Sequence, residues 1–239
     1  MIDPFERGKA WFLYRRLERE FVRTTSFVAL ETVHCNVWSE KYGDLLVRIG
    51  DMVDSYFRLM IDSKSLDNET TIKNLRKEMQ KNRKKNPKWF LDIRDFRKTF
   101  DSIFQLSSVE IEADYGLTYY GKLQPFKDFD KQNPLWWEPY NKVKHEIFEQ
   151  IEKKATLGNV IDALAALFTL NILHKENQRY LIRYTNTIFA EYLRKEDIEK
   201  YLGASFIGCA NNTKAFKFIA KTQLFTHLFR VDPDPNKKA

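Results

Sequence analysis

The sequence predicts a mainly α-helical fold: a helical bundle with a small β-hairpin insertion and extra helices toward the C-terminal end. Glycine (8) and proline (7) are scarce among the 239 residues, which disfavours an all-β fold because such folds need many tight turns. Hydrophobic residues make up 43% of the chain and aromatic residues 15%, so a folded core is expected. Long stretches also repeat their apolar residues at helical spacing.

Two long amphipathic helices are predicted at the start of the chain. Apolar residues recur at helical spacing over Phe5–His34 and again over Val37–Ile61. Two such helices in succession indicate an antiparallel helical hairpin. A polar segment follows at residues 63–88, and a further helix is predicted at Trp89–Leu106.

A β-hairpin over residues 109–123 is the only β structure that the sequence predicts. Val109–Ala113 alternates apolar and acidic residues, Asp114–Gly116 offers a turn, and Leu117–Leu123 is aromatic and β-prone. After the hairpin, a strongly apolar helix is predicted to begin behind the cap residue Thr156.

The bundle, with the polar segment and the hairpin inside it, is expected to occupy residues 1–175, and a helical extension is expected at 176–231. Within the extension, the sequence predicts a tyrosine-rich helix at Tyr180–Arg194 and a final helix near Thr213–Phe229. Residues 232–239 are expected to form a frayed tail.

The charge balance favours a polyanionic partner such as RNA or DNA. Lysine and arginine number 40 against 33 acidic residues, which gives a net charge of +7. Within the polar segment, the basic residues Arg83, Lys84 and Lys85 allow two interpretations. They belong either to a solvated helix end and loop, or to a flexible arm that contacts phosphates without reading their sequence.

Other classes of protein are not supported. The two cysteines, Cys35 and Cys209, have neither the density of a secreted disulfide scaffold nor the spacing of a zinc site. No stretch reaches the roughly 20 apolar residues that span a bilayer, and no leader is visible at the start. We therefore expect a cytoplasmic protein without a membrane contact. Motifs for a nucleotide loop, a zinc peptidase or a serine hydrolase are missing, so no cofactor or metal is expected.

The candidate functional residues lie in the stretch PLWWEPYNKVKHEIFEQ, Pro134–Gln150. A helix that begins near Glu138 places Asn141 and His145 together on one flank, since they are four residues apart. Lys144 lies at the edge of the apolar stripe. The stripe itself is predicted to face the core, and its members are Tyr140, Val143, Ile147 and Ile151.

These residue types suit acid–base work on a phosphate. Histidine has a pKa near neutrality, lysine supplies a fixed positive charge, and asparagine both donates and accepts hydrogen bonds. The alternative is that Asn141 and His145 form a structural pair on a core helix. Trp136 and Trp137 likewise allow two interpretations, as packing anchors or as surfaces on which a base stacks.

The order of parts in Pro134–Leu173 resembles the C-terminal half of HEPN-type helical domains. In that superfamily, a helix with an Arg-polar-x-x-x-His motif precedes a helix rich in alanine and leucine. The two helices at residues 5–61 resemble the superfamily's N-terminal pair. The resemblance implies an up-down bundle that is usually dimeric. Its active members cleave RNA without metal and belong to toxin–antitoxin and antiviral defence systems, whereas others are inactive binding modules.

By position, Asn141 matches the polar residue of the motif and His145 matches its histidine, whereas the arginine position is occupied by Tyr140. The resemblance thus implies a homodimer that binds or cleaves RNA, with an antitoxin-type protein as a further partner. In cleavage, the 2′-hydroxyl would attack the adjacent phosphate, His145 would be the acid–base group, Asn141 would orient it or the ribose, and Lys144 would bind phosphate. Lys142 would add positive charge. The alternative is a non-catalytic interaction module, because a tyrosine lacks the guanidinium that pairs with phosphate.

Overall fold

The computed structural model describes residues 8–113, 122–174, 177–178, 180–181, 188–190 and 216–231, with 188–190, 216–221 and 226–231 described by their backbone. Seven α-helices and five strands lie in these ranges. The helices are α1 (Lys9–Thr24), α2 (Glu40–Asp62), α3 (Thr70–Lys85), α4 (Ile93–Phe104), α5 (Trp137–His145), α6 (Ile147–Lys154) and α7 (Leu157–Leu173). The strands are β1 (Ile111–Ala113), β2 (Lys122–Leu123), β3 (Ile188–Ala190), β4 (Phe216–Lys221) and β5 (Phe225–Val231). The predicted mainly helical fold with a small β insertion is confirmed.

The first two helices are where the apolar periodicity placed them, with different ends. α1 stops at Thr24, and a separate 3₁₀ turn covers Thr32–His34, so the first predicted helix is wrong over its last ten residues, 25–34. α2 begins after Ser39, whose hydroxyl oxygen accepts a hydrogen bond from the Tyr42 backbone N–H at 3.0 Å. Such an N-cap satisfies one of the orphan donors of the first turn.

α7 is the central helix of the bundle. It is buried along nearly its whole length because small and apolar residues occupy almost every side of it, and α1 and α2 both pack against it. The predicted cap is confirmed, since the Thr156 hydroxyl oxygen accepts the Asn159 backbone N–H at 3.4 Å. Among the described residues, no helix has the length and hydropathy needed to cross a membrane, α7 included.

A cluster of phenylalanines joins α4 and the segment after β2 to α2. The ring of Phe57 on α2 stacks at 5.1 Å on both Phe96 and Phe100 of α4. Phe126 and Phe129 each lie 6.1 Å from the same ring. All five rings are fully buried, and offset aromatic pairs of this kind stabilise by about 1 kcal/mol beyond their buried area.

The β structure is larger than the predicted hairpin. β1 pairs antiparallel with β2, which confirms the pairing of the two predicted strands, while the predicted turn at 114–116 lies outside the described residues. The sheet continues through strands from the C-terminal part in the order β2-β1-β5-β4-β3, with antiparallel registers throughout. The predicted final helix near Thr213–Phe229 is therefore wrong over β4 and β5, and the helix predicted at Tyr180–Arg194 is wrong over β3.

A buried carboxylate connects the sheet to the bundle. Glu18 on α1 is fully buried and accepts hydrogen bonds from the Tyr14 hydroxyl at 2.9 Å, from the Leu224 backbone N–H at 3.1 Å and from Arg15. Leu224 lies in the turn between β4 and β5. A buried charge needs such partners, so Glu18 ties this turn to α1.

Asp162 is an acidic residue on the central helix whose burial destabilises the protein at neutral pH. It is half-buried and forms neither a hydrogen bond nor an ion pair with any residue in the described ranges. Burial raises the pKa of its carboxyl from 3.8 to about 6, because the charged form loses water without gaining a partner.

We expect Asp162→Asn to stabilise the protein by about 2 kcal/mol at pH 7.5, since a shift of two pKa units corresponds to about 2.7 kcal/mol and some solvent contact remains. The raised pKa favours the folded state below pH 4, and this contribution is lost as the pH rises through 6. The gain should therefore nearly vanish at pH 4. Urea unfolding at both pH values measures it. Asp62→Asn provides the control, because Asp62 is exposed and its substitution removes no buried carboxyl.

Candidate functional site on helix α5

The two tryptophans before α5 are packing anchors. Trp136 and Trp137 are 1% and 7% exposed, and the Trp136 indole N–H donates a hydrogen bond to the Pro125 carbonyl oxygen at 3.0 Å. The ring of Trp137 lies 5.0 Å from the ring of Tyr140. Of the two interpretations, packing is confirmed, because buried rings offer no face to a base.

Tyr140, which occupies the arginine position of the motif, is buried against α2. Its ring lies so close to Gly50 that a Cβ atom there would come within 2.2 Å of Tyr140 Cδ2. The hydroxyl donates a hydrogen bond to Asp51 Oδ1 at 2.7 Å. Lys144 Nζ donates to the same carboxylate oxygen at 2.6 Å and to the Tyr140 hydroxyl at 2.9 Å. We call these three residues the Asp51 cluster.

In the Asp51 cluster, the pKa values of Tyr140 and Lys144 are raised. Burial, followed by the nearby Asp51 carboxylate, raises the pKa of Tyr140 to about 12, so its hydroxyl is protonated at neutral pH. The hydrogen bond to Asp51, and then the one to Tyr140, raises the pKa of Lys144 above its usual range. Lys144 therefore stays charged, and its charge is compensated by Asp51 within the molecule.

Asn141 and Lys142 form contacts inside their own stretch of helix. The Asn141 amide nitrogen donates to the Trp137 carbonyl oxygen at 2.9 Å, whereas its side-chain oxygen makes no hydrogen bond within the described ranges. Lys142 pairs with Glu146, with Nζ at 3.0 and 3.1 Å from the two carboxylate oxygens. The side-chain oxygen of Asn141 is thus available to accept a hydrogen bond, and Glu146 compensates the charge of Lys142.

His145 is the exposed member of the predicted set. It is the last residue of α5, its side chain faces solvent, and it has no hydrogen-bond or ion-pair partner in the part of the chain that the structure describes. A histidine buried and bonded to backbone would be structural. His145 is instead exposed, so its ring is accessible from solvent.

The predicted helix is interrupted directly after His145. Glu146 has φ −132° and ψ 44°, outside the helical region, and α6 begins one residue later. The break turns Ile147, which the periodicity assigned to the core, partly outward, to 45% exposure. That assignment is wrong. Phe148 is 99% exposed, so His145, Ile147 and Phe148 form an exposed surface that we call the α5–α6 face.

The basic residues predicted to contact nucleic acid lie on a different helix. Arg83, Lys84 and Lys85 form the last turn of α3 and are all exposed. The basic segment is therefore helical up to Lys85. This agrees with the interpretation as a solvated helix end, and it disagrees with a flexible arm over those residues. Positive charges are favourable at this end of a helix, where the dipole is negative. No hydrogen bond or ion pair among the described residues connects Arg83, Lys84 or Lys85 to α5.

Within the described residues, no hydrogen bond or ion pair joins two of the predicted site residues, and Lys144 instead contacts a residue that the sequence did not indicate. Lys144 and Tyr140 meet at Asp51, which is 89 residues from Tyr140 along the chain, and no local spacing signals that contact. His145 forms no hydrogen bond with Asn141 or Lys144 within the described residues. The same residues contain no group of three or more His, Cys, Asp or Glu side chains that could bind a metal ion.

Comparisons with known proteins give no match: no family model, curated protein or solved structure is similar to this chain. The resemblance of Pro134–Leu173 to HEPN-type domains therefore stays a prediction. The structure adds two observations about α5 and α6. Lys144 is paired with Asp51 of α2, and the exposed residue His145 is followed in the chain by the exposed apolar residues Ile147 and Phe148.

Proposed function

We propose that the protein acts on RNA as a HEPN-like homodimer, with His145 as its acid–base residue and the α5–α6 face as the dimer interface. The observation that carries the proposal is the position of His145. It is exposed and lies two and three residues along the chain from Ile147 and Phe148, apolar residues whose side chains are 45% and 99% exposed in a single subunit.

The exposed apolar residues support a second copy of the chain as the occupant of this face. α6 has no buried residue among its eight, and its first two residues, Ile147 and Phe148, are 45% and 99% exposed, whereas Ile151 packs toward α2. Covering Phe148 alone would remove roughly 150–250 Å² of ring surface from water. A two-fold axis through the α5–α6 face would also place two copies of His145 near each other, because such interfaces match a surface with itself.

Two histidines at one interface suit RNA cleavage without metal. One imidazole removes the proton from the 2′-hydroxyl, the 2′-oxygen forms a bond to the adjacent phosphorus, and the bond to the 5′-oxygen breaks. The second imidazole, in its protonated form, gives a proton to that leaving oxygen. The free Asn141 oxygen is available to orient a histidine or the ribose. In this proposal Lys144 is a positioning residue, because Asp51 already compensates its charge.

The Asp51 cluster favours a second candidate function, a non-catalytic interaction module. Tyr140 and Lys144 both contribute to holding α5 on α2, which gives the motif a structural purpose without catalysis. A buried tyrosine also brings no positive charge to a phosphate, unlike the guanidinium that it replaces. Under this candidate, the α5–α6 face binds a protein partner, and no RNA is cleaved.

RNA cleavage in the presence of EDTA separates the two candidates. We expect the parent protein to cleave single-stranded RNA, and His145→Ala to reduce the rate by a factor of at least about 100, the usual contribution of a general acid or base. His34→Ala is the matched control, because His34 lies in a 3₁₀ turn and bonds only the Ala29 carbonyl oxygen in the described part of the chain.

The outcomes are distinct. Equal cleavage by the parent and His145→Ala would contradict the acid–base role of His145. Cleavage by neither protein, with RNA binding intact, would favour the interaction module. A loss of activity in His34→Ala as large as that in His145→Ala would point to an effect on folding, which circular dichroism of both variants checks.

A further inference from the structure

A cleft lies between the end of α1 and the start of α2, and its lining residues are not those of the α5 site. Its volume is about 790 Å³, within the usual range of small-molecule sites. We call it the α1–α2 cleft. The residues of its lining that matter here are Arg19, Arg23, Phe27, Trp38, Lys41 and Tyr42.

The acidic side chain of the cleft is already engaged by other cations. Glu20 accepts two hydrogen bonds from Arg48, at 2.6 and 3.0 Å, and one from Lys41 at 3.3 Å. Arg16 lies 3.4 Å from the same carboxylate. The hydrogen bond from Arg48 is the main reason why the pKa of Glu20 falls to about 2.

Arg19 and Arg23 are left without an acidic partner. They lie one helical turn apart on α1, on the same side of the helix, and both are exposed. Arg19 donates from Nε to the Arg15 carbonyl oxygen at 3.3 Å, which leaves its terminal nitrogens available. Neither guanidinium pairs with a carboxylate in the described ranges. Two such arginines match a phosphate group, whose oxygens accept paired N–H donors.

Two aromatic rings are exposed on the lining of the same cleft. Phe27 is 90% exposed and Trp38 is 43% exposed. The backbone on either side of Trp38 is fixed to the start of α7, since the Leu157 N–H donates to the Val37 carbonyl oxygen at 2.9 Å and Trp38 forms a bridge with Thr156. Exposed aromatic rings on a fixed backbone provide a stacking surface for a base.

We propose that the α1–α2 cleft binds a nucleotide, with its phosphate on Arg19 and Arg23 and its base against the exposed rings of Phe27 and Trp38. The same chemistry is offered by a free nucleotide and by one unit of a single-stranded RNA, and only the second case rests on the proposed RNA function. His145 is not among the described residues that line the cleft. Lys41 in the lining lies ten residues before Asp51 on α2, or about 15 Å along the helix axis.

Binding of two probes tests the proposal: adenosine diphosphate by calorimetry, and an oligouridylate of about ten nucleotides by fluorescence anisotropy. The first variant is the double substitution Arg19→Gln/Arg23→Gln. Its matched control is Lys98→Gln/Lys127→Gln, which removes the same charge from exposed lysines that pair with no acid in the described residues. The second variant is Phe27→Ala, with Phe90→Ala at another exposed phenylalanine as its control.

We expect the parent to bind at least one probe and the double arginine variant to bind it at least about tenfold more weakly, with Phe27→Ala weaker by about fivefold or more. For the oligouridylate, the slope of log affinity against log salt should fall by about 1.4, which corresponds to two lost phosphate contacts on a single strand. Both controls should bind like the parent.

The remaining outcomes separate this proposal from the RNA function. If the parent binds neither probe, or if the arginine and lysine double variants bind equally, the cleft is not a nucleotide site. Oligouridylate binding that survives the loss of both arginines, without binding of adenosine diphosphate, overturns the cleft and leaves the RNA function standing. Binding of adenosine diphosphate that depends on the arginines, without any RNA binding, supports the cleft and contradicts the RNA function.

Discussion

Gly50→Ala is expected to destabilise the protein by about 2 kcal/mol or more, although alanine is the better residue inside a helix by about 0.5–1 kcal/mol. The added methyl group would lie 2.2 Å from Tyr140 Cδ2, so the ring must move. Asp51 and Lys144 hold the far end of that ring through its hydroxyl. Overpacking of this kind typically costs about 1–3 kcal/mol.

Gly43→Ala is the matched control, because it lies on the same helix two turns earlier. A Cβ atom there would meet the Ile151 Cδ1 atom at 3.2 Å, and the end of an isoleucine side chain can shift. We therefore expect Gly43→Ala to be neutral or slightly stabilising. Urea unfolding of the two variants should give changes of opposite sign or of clearly different size.

A double-mutant cycle identifies the cause of the Gly50 effect. In a Tyr140→Ala background, Gly50→Ala should cost nothing further, because the ring that it meets is gone. If Gly50→Ala is as stable as the parent, or costs the same without the tyrosine, then Tyr140 does not pack on α2 as described. The hydrogen bonds that Tyr140 makes in the Asp51 cluster would then be contradicted as well.

The helices of the bundle could be predicted because their signals are local. The apolar periodicity located α1, α2 and α4, and a single threonine marked the start of α7. The ends were less predictable. Nothing in the residues between Thr24 and Ser39 distinguishes a helix from a 3₁₀ turn by spacing alone, and the packing of the surrounding chain decides it.

The C-terminal strands were misread because their partners are distant. Phe216 and Phe218 flank Lys217 in the sequence, a short alternation with a period of two that favours β structure. The same segment also fits an amphipathic helix that carries aromatic and basic residues. β5 pairs with β1, more than 100 residues away, and β propensity depends strongly on such neighbours.

The candidate site was predicted in its residues but not in its geometry. The break at Glu146 has neither glycine nor proline to announce it, so Ile147 was assigned to a core that it does not reach. Asp51 could not be found from the sequence, because it meets Tyr140 only through the packing of α5 on α2. The helical spacing did predict that His145 lies on a flank of the helix, away from the apolar stripe, and the residue is exposed.

Phe148→Asp is expected to abolish dimerisation and leave the subunit folded. The ring of Phe148 is 99% exposed in the single subunit, so its removal costs the subunit almost no packing. In a two-fold dimer through the α5–α6 face, both copies of the substitution would bury a carboxylate against apolar surface, which is strongly unfavourable without a partner. RNA cleavage in EDTA should fall together with dimerisation.

Phe90→Asp is the matched control, because Phe90 is also largely exposed, at 68%, but precedes α4. Sedimentation velocity of the three proteins at equal concentration tests the central claim most directly. We predict a dimer for the parent and for Phe90→Asp, and a folded monomer for Phe148→Asp. A monomeric parent, or a Phe148→Asp variant that sediments as a dimer, would contradict the claim that two copies join through the α5–α6 face and bring their His145 side chains together.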